Sequence, residues 1–374
     1  MKKFLALALA SVMTLSLVAC GESSESKSSD GLKIPVISSP SGVDYGSFNQ
    51  DIYNGILKFV GENEGATVTP IREESGDTAA AVQAVADVVA EYDVLVCNGF
   101  QFAGIGDVAK ENPDSTFILI DAWPTVEGTE LTPDNALENV YAAYYAEQES
   151  GFYAGMAAAL STQSGKVAVV NGIAFPSNVN YQYGFECGVK YANATEGLNV
   201  EVVELPSYAG TDVTGANVGG NYIGDFSDEA TGKVVGNALI AEGCDILFVA
   251  AGGSGNGVFT AAKEATGVKV IGCDVDQYDD GANGDSNIVL TSGLKLMHAT
   301  VYDALNTVKD GSFKGACVTL SASTDSTGYV STEGRCQLTA DAIAKIDAAA
   351  ADLKAGKIVP AANFNGITPE TFTW

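Results

Sequence analysis

From Lys33 onward, short unbroken apolar runs alternate with segments whose apolar residues recur every three to four positions, and the connections are brief. Few folds accommodate that alternation. Runs such as Val94-Leu95-Val96 and Phe117-Ile118-Leu119-Ile120 suit strands covered on both faces. Phe48, Ile52, Ile56 and Val60 share one face of a helix. Strand and helix in alternation build a parallel α/β sheet. Lys33 to Ser38 reads as the first strand. A second series begins after Asn139 to Tyr145, with a helix from about Gln148 carrying Phe152, Met156 and Leu160. The runs Val167 to Val170, Ile246 to Ala250 and Val268 to Cys273 follow it. The length also exceeds the roughly 250–300 residues at which a single core stops growing. The expected class is therefore α/β, with two doubly wound parallel-sheet lobes joined by a hinge. A helix carrying Met297, Val301, Leu305 and Val308 comes after the second series and returns to the first lobe. The expected boundaries are a leader over 1–19, a tether over 20–31, a first lobe of 32–144 plus about 294–312, and a second lobe of 145–293 plus about 313–374.

The N-terminus sets the address. Lys2 and Lys3 precede an apolar run from Phe4 to Val18 that is short for a permanent span, and Leu17-Val18-Ala19-Cys20 closes it. That is a lipobox: Cys20 is the expected acylated residue and mature N-terminus, and its acyl chains hold the protein at the outer face of the cell membrane, extracellular or periplasmic. Gly21 to Asp30 is rich in Ser and Glu and reads as a flexible tether.

Charge narrows the partners. The chain carries a net −28, and removing Lys2 and Lys3 takes the mature part to −30. Such a field repels nucleic acid and argues against a polyanionic ligand. Four of the remaining six cysteines, Cys97, Cys187, Cys244 and Cys273, lie in or beside apolar patterns, where a thiol behaves as a small hydrophobe. Cys317 and Cys336 flank an expected C-terminal strand pair. The sequence leaves open whether they pair as a disulfide or remain free thiols.

Enzymatic motifs are absent. The single histidine, His298, sits near the start of a helix and reads as a packing or surface residue. There is no C-x-x-C, no G-x-S-x-G and no G-x-x-x-x-G-K-[ST], and a G-x-G-x-x-G from Gly253 fails at Val258. The run Gly252 to Gly257 is either a structural turn or a backbone that approaches a ligand at a helix N-terminus, with Gly253 the candidate contact. Asp274, Asp276, Asp279 and Asp280 miss the calcium-loop template, because Tyr278 and Asp279 occupy its fifth and sixth positions. No metal and no cofactor are expected. Asp121 and Asp274 each follow directly on a strand, and the carboxyl ends of such strands face the ligand crevice. One acceptor per lobe suits the hydroxyls of a neutral ligand.

In order along the chain stand Ser47-Phe48-Asn49-Gln50, Gly99-Phe100, Ile120-Asp121, Glu147-Gln148-Glu149, Gly184-Phe185-Glu186, Ala250 to Gly255, Asp274-Val275-Asp276-Gln277, and Leu290-Thr291-Ser292 with Lys295. This series, from about Lys33 to about Lys357, resembles the basic membrane protein family of substrate-binding lipoproteins. The resemblance implies a type I periplasmic-binding-protein fold and an ABC importer, permease and ATPase, as partner, with nucleosides as ligands. It implies that Phe48 and Tyr181 stack on the base, Asn49 and Asp121 face it, and Asp274 and Lys295 hold the ribose. Phe100 adds an aromatic face. Where the family commonly has Asp two places before the S-F-N run, this chain has Tyr45, and Asp44 stands one place earlier. The loop from Trp123 to Asn135 is long, and Ser207 to Asn221 reads as a surface insertion.

The expected function is capture of a nucleoside, purine by preference, by a monomeric, non-enzymatic receptor. Alternatives are a sugar or polyol held by stacking plus carboxylates, or a surface receptor for a protein partner.

Overall fold

In the computed structural model, which describes residues 31–374, each lobe is a sheet between two layers of helices. The leader, Cys20 and nearly all of the tether lie outside those residues. The first series comprises β1 (Lys33–Ser38), β2 (Thr67–Arg72), β3 (Val94–Asn98), β4 (Thr116–Ile120) and β5 (Val140–Tyr145), with helices α1 (Phe48–Glu62), α2 (Thr78–Val88) and α3 (Ile105–Glu111). Its strands lie in the order β2-β1-β3-β4-β5, all parallel. The second series comprises β6 (Lys166–Asn171), β7 (Glu201–Val202), β8 (Ile246–Ala250), β9 (Lys269–Gly272) and β10 (Val289–Lys295). Its order, β7-β6-β8-β9-β10, repeats the first, again parallel. In both sheets the order reverses beside the first strand, and ligands of doubly wound sheets bind outside the strand ends at that point.

Successive strand residues point to opposite faces, so each sheet carries two cores. Val94, Val96, Ile118 and Ile120 pack with Ile52 and Ile56 of α1, whereas Leu95, Cys97, Phe117 and Leu119 face Ala81 and Val85 of α2. The second sheet divides likewise between α4 (Glu147–Ser161), α5 (Pro176–Glu196) and α9 (Ala340–Lys354) on one face and α6 (Glu229–Ala241) and α7 (Gly255–Glu264) on the other. Helices α4 and α5 cross through small residues. A Cβ on Gly155 would stand 2.1 Å from the Phe185 carbonyl oxygen, and one on Gly184 2.1 Å from that of Gln148. Only glycine permits this approach.

The chain passes between the sheets three times: from β5 into α4, from β10 into α8 (Met297–Lys309), and from β11 (Ala316–Leu320) to β12 (Thr327–Tyr329). Met297, Val301 and Leu305 of α8 join the core beneath α1. His298 donates its backbone N–H to Asp51 Oδ2 at 2.9 Å, and its Nδ1 lies 2.8 Å from Asp51 Oδ1, tying α8 to α1. The crossings are bonded together. Ala146 donates to the Leu320 carbonyl at 2.8 Å, and Leu296 to that of Ser326 at 3.0 Å. Glu149 Oε2 accepts from Ala322 N and from Thr327 Oγ1, both at 2.6 Å.

Three expectations change. Strand β11 pairs in parallel with β5 of the first sheet, so 316–320 belongs with the first lobe and not the second. Its Ala-Cys-Val-Thr-Leu run is short and half-buried, and pairing across the sheet, not local pattern, places it there. Cys317 and Cys336 therefore do not flank a strand pair: β12 lies antiparallel to β10 in the other sheet, and both thiols are free. The stretch Ser207 to Asn221 does begin at the surface as a short hairpin. Its end turns inward, where the fully buried Asn221 donates to the Val169 and Val203 carbonyls at 3.0 Å.

Candidate functional site

The carboxyl ends of the two sheets face one another across a cleft partly open to solvent. The first lobe contributes Ser39 beyond β1, Tyr45 and Phe48 at the start of α1, Asn98 and Phe100 beyond β3, and Asp121 beyond β4. The second contributes Phe175 and Tyr181 around α5, Gly252 beyond β8, Cys273 and Asp274 beyond β9, and Lys295 at the end of β10.

Asp121 and Asp274 hold equivalent places in the two lobes, and both have left-handed backbones, with φ of 66° and 71°. Such angles cost energy for most L-residues and are tolerated best by Asn and Asp. They turn each chain sharply off its strand.

Lys295 is the hub. Its ammonium lies 2.7 Å from Asp121 Oδ2 and 3.6 Å from both Glu147 Oε1 and Asp274 Oδ1, with all four side chains buried. It also stands 4.8 Å from the centre of the Phe48 ring and 5.5 Å from those of Tyr145 and Tyr181. Its backbone N–H donates to the Asp274 carbonyl at 2.9 Å, which fixes the strand end. Burial opposes its charge, but Asp121, Asp274 and Glu147 together hold its pKa well above the ordinary lysine range. Burial raises Asp121 and Glu147 above ordinary carboxyls even though Lys295 pulls both down. The hub joins the lobes, since Asp121 belongs to the first sheet and Lys295 to the second.

Both oxygens of Asp274 accept a hydrogen bond from within the protein. Its Oδ1 accepts from the Tyr181 hydroxyl at 2.8 Å and its Oδ2 from Ser47 Oγ at 3.2 Å, another contact between lobes. Tyr181 lines the cleft and also sets its ring edge-on to Phe248, 5.7 Å away. Phe100 of the first lobe meets Phe175 of the second at 5.2 Å, and Phe175 meets Phe226 at 6.0 Å.

Six of the nine ligand-binding candidates therefore converge on the cleft: Phe48, Phe100, Asp121, Tyr181, Asp274 and Lys295. Three do not line it. Asp44 is exposed and faces a separate opening beside Lys263 and Asp280, while Tyr45, the next residue, turns into the cleft. Asn49 is fully buried behind the wall, donating to Ser39 Oγ at 3.0 Å and to the Gly42 carbonyl at 2.8 Å. Gly253 lies beneath Phe226, whose carbonyl would be 3.0 Å from a Cβ there, so its neighbour Gly252 reaches the cleft instead.

The sequence reading gave no role to Asn98, Glu147, Phe175 or Phe226. Asn98 carried a signal, a carboxamide ending a buried strand, whereas Glu147 opens a helix as surface glutamates also do. Phe226 sits in a loop with no pattern to mark it. Among the described residues no cluster of His, Cys, Asp and Glu is set to hold a metal ion, and no helix is long and apolar enough to cross a membrane. The site can hydrogen-bond donors and cover a planar ring.

Residues 35–213 and 214–330 match the family described as "ABC transporter substrate-binding protein PnrA-like". The chain is similar to the "ABC transporter nucleoside-binding protein BmpA" of Lactococcus lactis, 30% identical over 338 residues, 84% of this chain and 86% of the relative. It is 28% identical over 337 residues to the "CD4+ T-cell-stimulating antigen" of Listeria monocytogenes, with the same coverage of both chains. A solute-binding protein of an ABC transporter system from Aeropyrum pernix shares the fold, with a TM-score of 0.72 at 22% identity over 90% of this chain and 94% of that one. The fold is the type I periplasmic-binding-protein fold, and the chain belongs to the PnrA-like family of ABC transporter substrate-binding proteins, the basic membrane protein family.

Proposed function

We propose that this protein is a lipid-anchored, non-enzymatic receptor that captures a nucleoside, purine by preference, between its lobes and delivers it to an ABC permease and its ATPase. One observation carries the reading. The cleft sets aromatic faces, Phe48 and Phe100, beside a hydrogen-bonding hub whose one cation, Lys295, is already neutralised by carboxylates. A planar base with a neutral, hydroxylated sugar matches that pairing. A phosphate does not, because anions of that kind are held by unneutralised Arg or Lys donors. The relative named as nucleoside-binding supports the same ligand class. Anchoring rests on the run Leu17 to Cys20 and places the protein at the outer face of the membrane.

The test is calorimetric titration of the purified protein with nucleosides, free bases and sugars. Purine nucleosides should bind, nucleotides should bind at least tenfold more weakly, and binding should raise the melting temperature by mass action. Binding of sugars with no response to any nucleoside would replace this reading with a sugar receptor. Anchoring is tested separately: Cys20→Ala should leave the membrane fraction, and unchanged membrane retention after normal processing would refute it.

A further inference from the structure

The cleft wall holds a hydrogen-bond acceptor without a partner whose orientation the protein fixes. Asn98 ends β3 beside β1, where the strand order reverses, and is fully buried while lining the cleft. Its amide orientation follows from its neighbours. The Gly42 carbonyl can only accept, so the Asn49 group 2.8 Å from it is the NH₂. The Asn49 oxygen therefore faces Asn98, which presents its own NH₂ to it at 3.3 Å. That leaves Asn98 Oδ1 with no donor among the described residues. Nearby, Gln101 donates to the Asn98 backbone carbonyl at 2.8 Å and not to this oxygen. The neighbouring strand β4 supplies a second acceptor of the same kind. Asp121 follows Ile120, the register partner of Asn98, and its Oδ1 is likewise buried without a donor while Oδ2 holds Lys295.

We infer that Asn98 is a specificity-determining residue: its Oδ1 accepts from an exocyclic amino group on the edge of the base, so the site selects nucleosides whose base carries one. This rests on the nucleoside reading above and adds the base chemistry. A buried acceptor left unpaired costs free energy, so a site built to accept a hydrogen bond rejects a ligand lacking the donor. Asn49 acts as the positioning residue that holds Asn98 in this orientation, in place of a direct contact with the base.

Two matched ligand pairs test it by calorimetry. Guanosine and inosine differ by one amino group, as do adenosine and purine riboside. In the wild type, at least one amino-bearing partner should bind about tenfold or more tightly than its mate. Asn98→Ala should bring that ratio to within about threefold. Binding of both pairs within about threefold in the wild type overturns the inference even if no variant folds. So does a preference that survives Asn98→Ala. If no nucleoside binds the wild type, the nucleoside reading itself fails, a result distinct from either.

Discussion

Replacing Lys295 with Met should expose how much of the fold's stability depends on one ammonium. At an effective dielectric constant near 20, a charge pair at 2.7 Å is worth about 6 kcal/mol and one at 3.6 Å about 4–5 kcal/mol before desolvation is charged against it. Burial offsets much of that attraction, so the net worth of the hub is far smaller than the sum. Removing the cation alone strands Asp121, Glu147 and Asp274 in a buried site, and uncompensated buried charge of this kind costs about 3–5 kcal/mol. Met fills similar volume against Phe48, Tyr145 and Tyr181, so the loss is electrostatic more than steric. The sign with pH follows from linkage. Without Lys295, the folded-state pKa values of Asp121 and Glu147 rise further above their unfolded values, so the folded variant binds more protons than the unfolded chain. Its stability is then retained at acid pH and lost as pH rises through those raised values. Urea unfolding at pH 8 should show a deficit of about 3–5 kcal/mol, falling to less than about half at pH 4.5. A deficit below about 1 kcal/mol at pH 8, or one equal at both pH values, would refute the account of the hub.

Gly155→Ala in α4 should destabilise by about 2 kcal/mol or more, since the methyl meets the Phe185 backbone at 2.1 Å, whereas Gly61→Ala in α1, with nothing within 4 Å, should stabilise by about 0.5–1 kcal/mol. Thermal melts that move both variants the same way would contradict this. The Asp51 hydrogen bond, working against partial burial, raises the pKa of His298 above its ordinary 6.5. The stability this pair adds is therefore present below about pH 6.5 and lost as pH rises through the raised value. His298→Gln should cost less than about 1 kcal/mol at pH 6 and nothing measurable by pH 9, because the imidazole is half exposed. A cost constant across that range would remove the ion pair from the explanation. Glu149→Ala should loosen the third crossing by freeing Ala322 N and Thr327 Oγ1, and faster amide exchange confined to 320–329 would show it. Protection unchanged in that segment would count against the clamp.

The doubly wound class was legible in the sequence because strands buried on both faces must be continuously apolar, as Val94 to Val96 and Phe117 to Ile120 are. Asp121 and Asp274 were legible as residues of the cleft edge for a related reason: the class sends every parallel strand end to the same edge, so a carboxylate after such a strand faces the crevice. What local pattern lacked was everything decided by partners distant in the chain. Nothing in Ala316 to Leu320 announces that it pairs with β5, because its register depends on a strand about 175 residues away. Nothing in Ser47-Phe48-Asn49 shows that Asn49 turns behind the wall to bond Gly42 and orient Asn98. Glu147 opens a helix as many surface glutamates do, and only the return of Lys295 to its side, 148 positions later, makes it a buried charge partner. The sequence alone determined the layers and the edge at which chemistry collects, because those follow from periodicity. Tertiary structure alone decided which polar atoms there are satisfied and which are left for a ligand, because a hydrogen bond depends on groups that meet only when both sheets are in place.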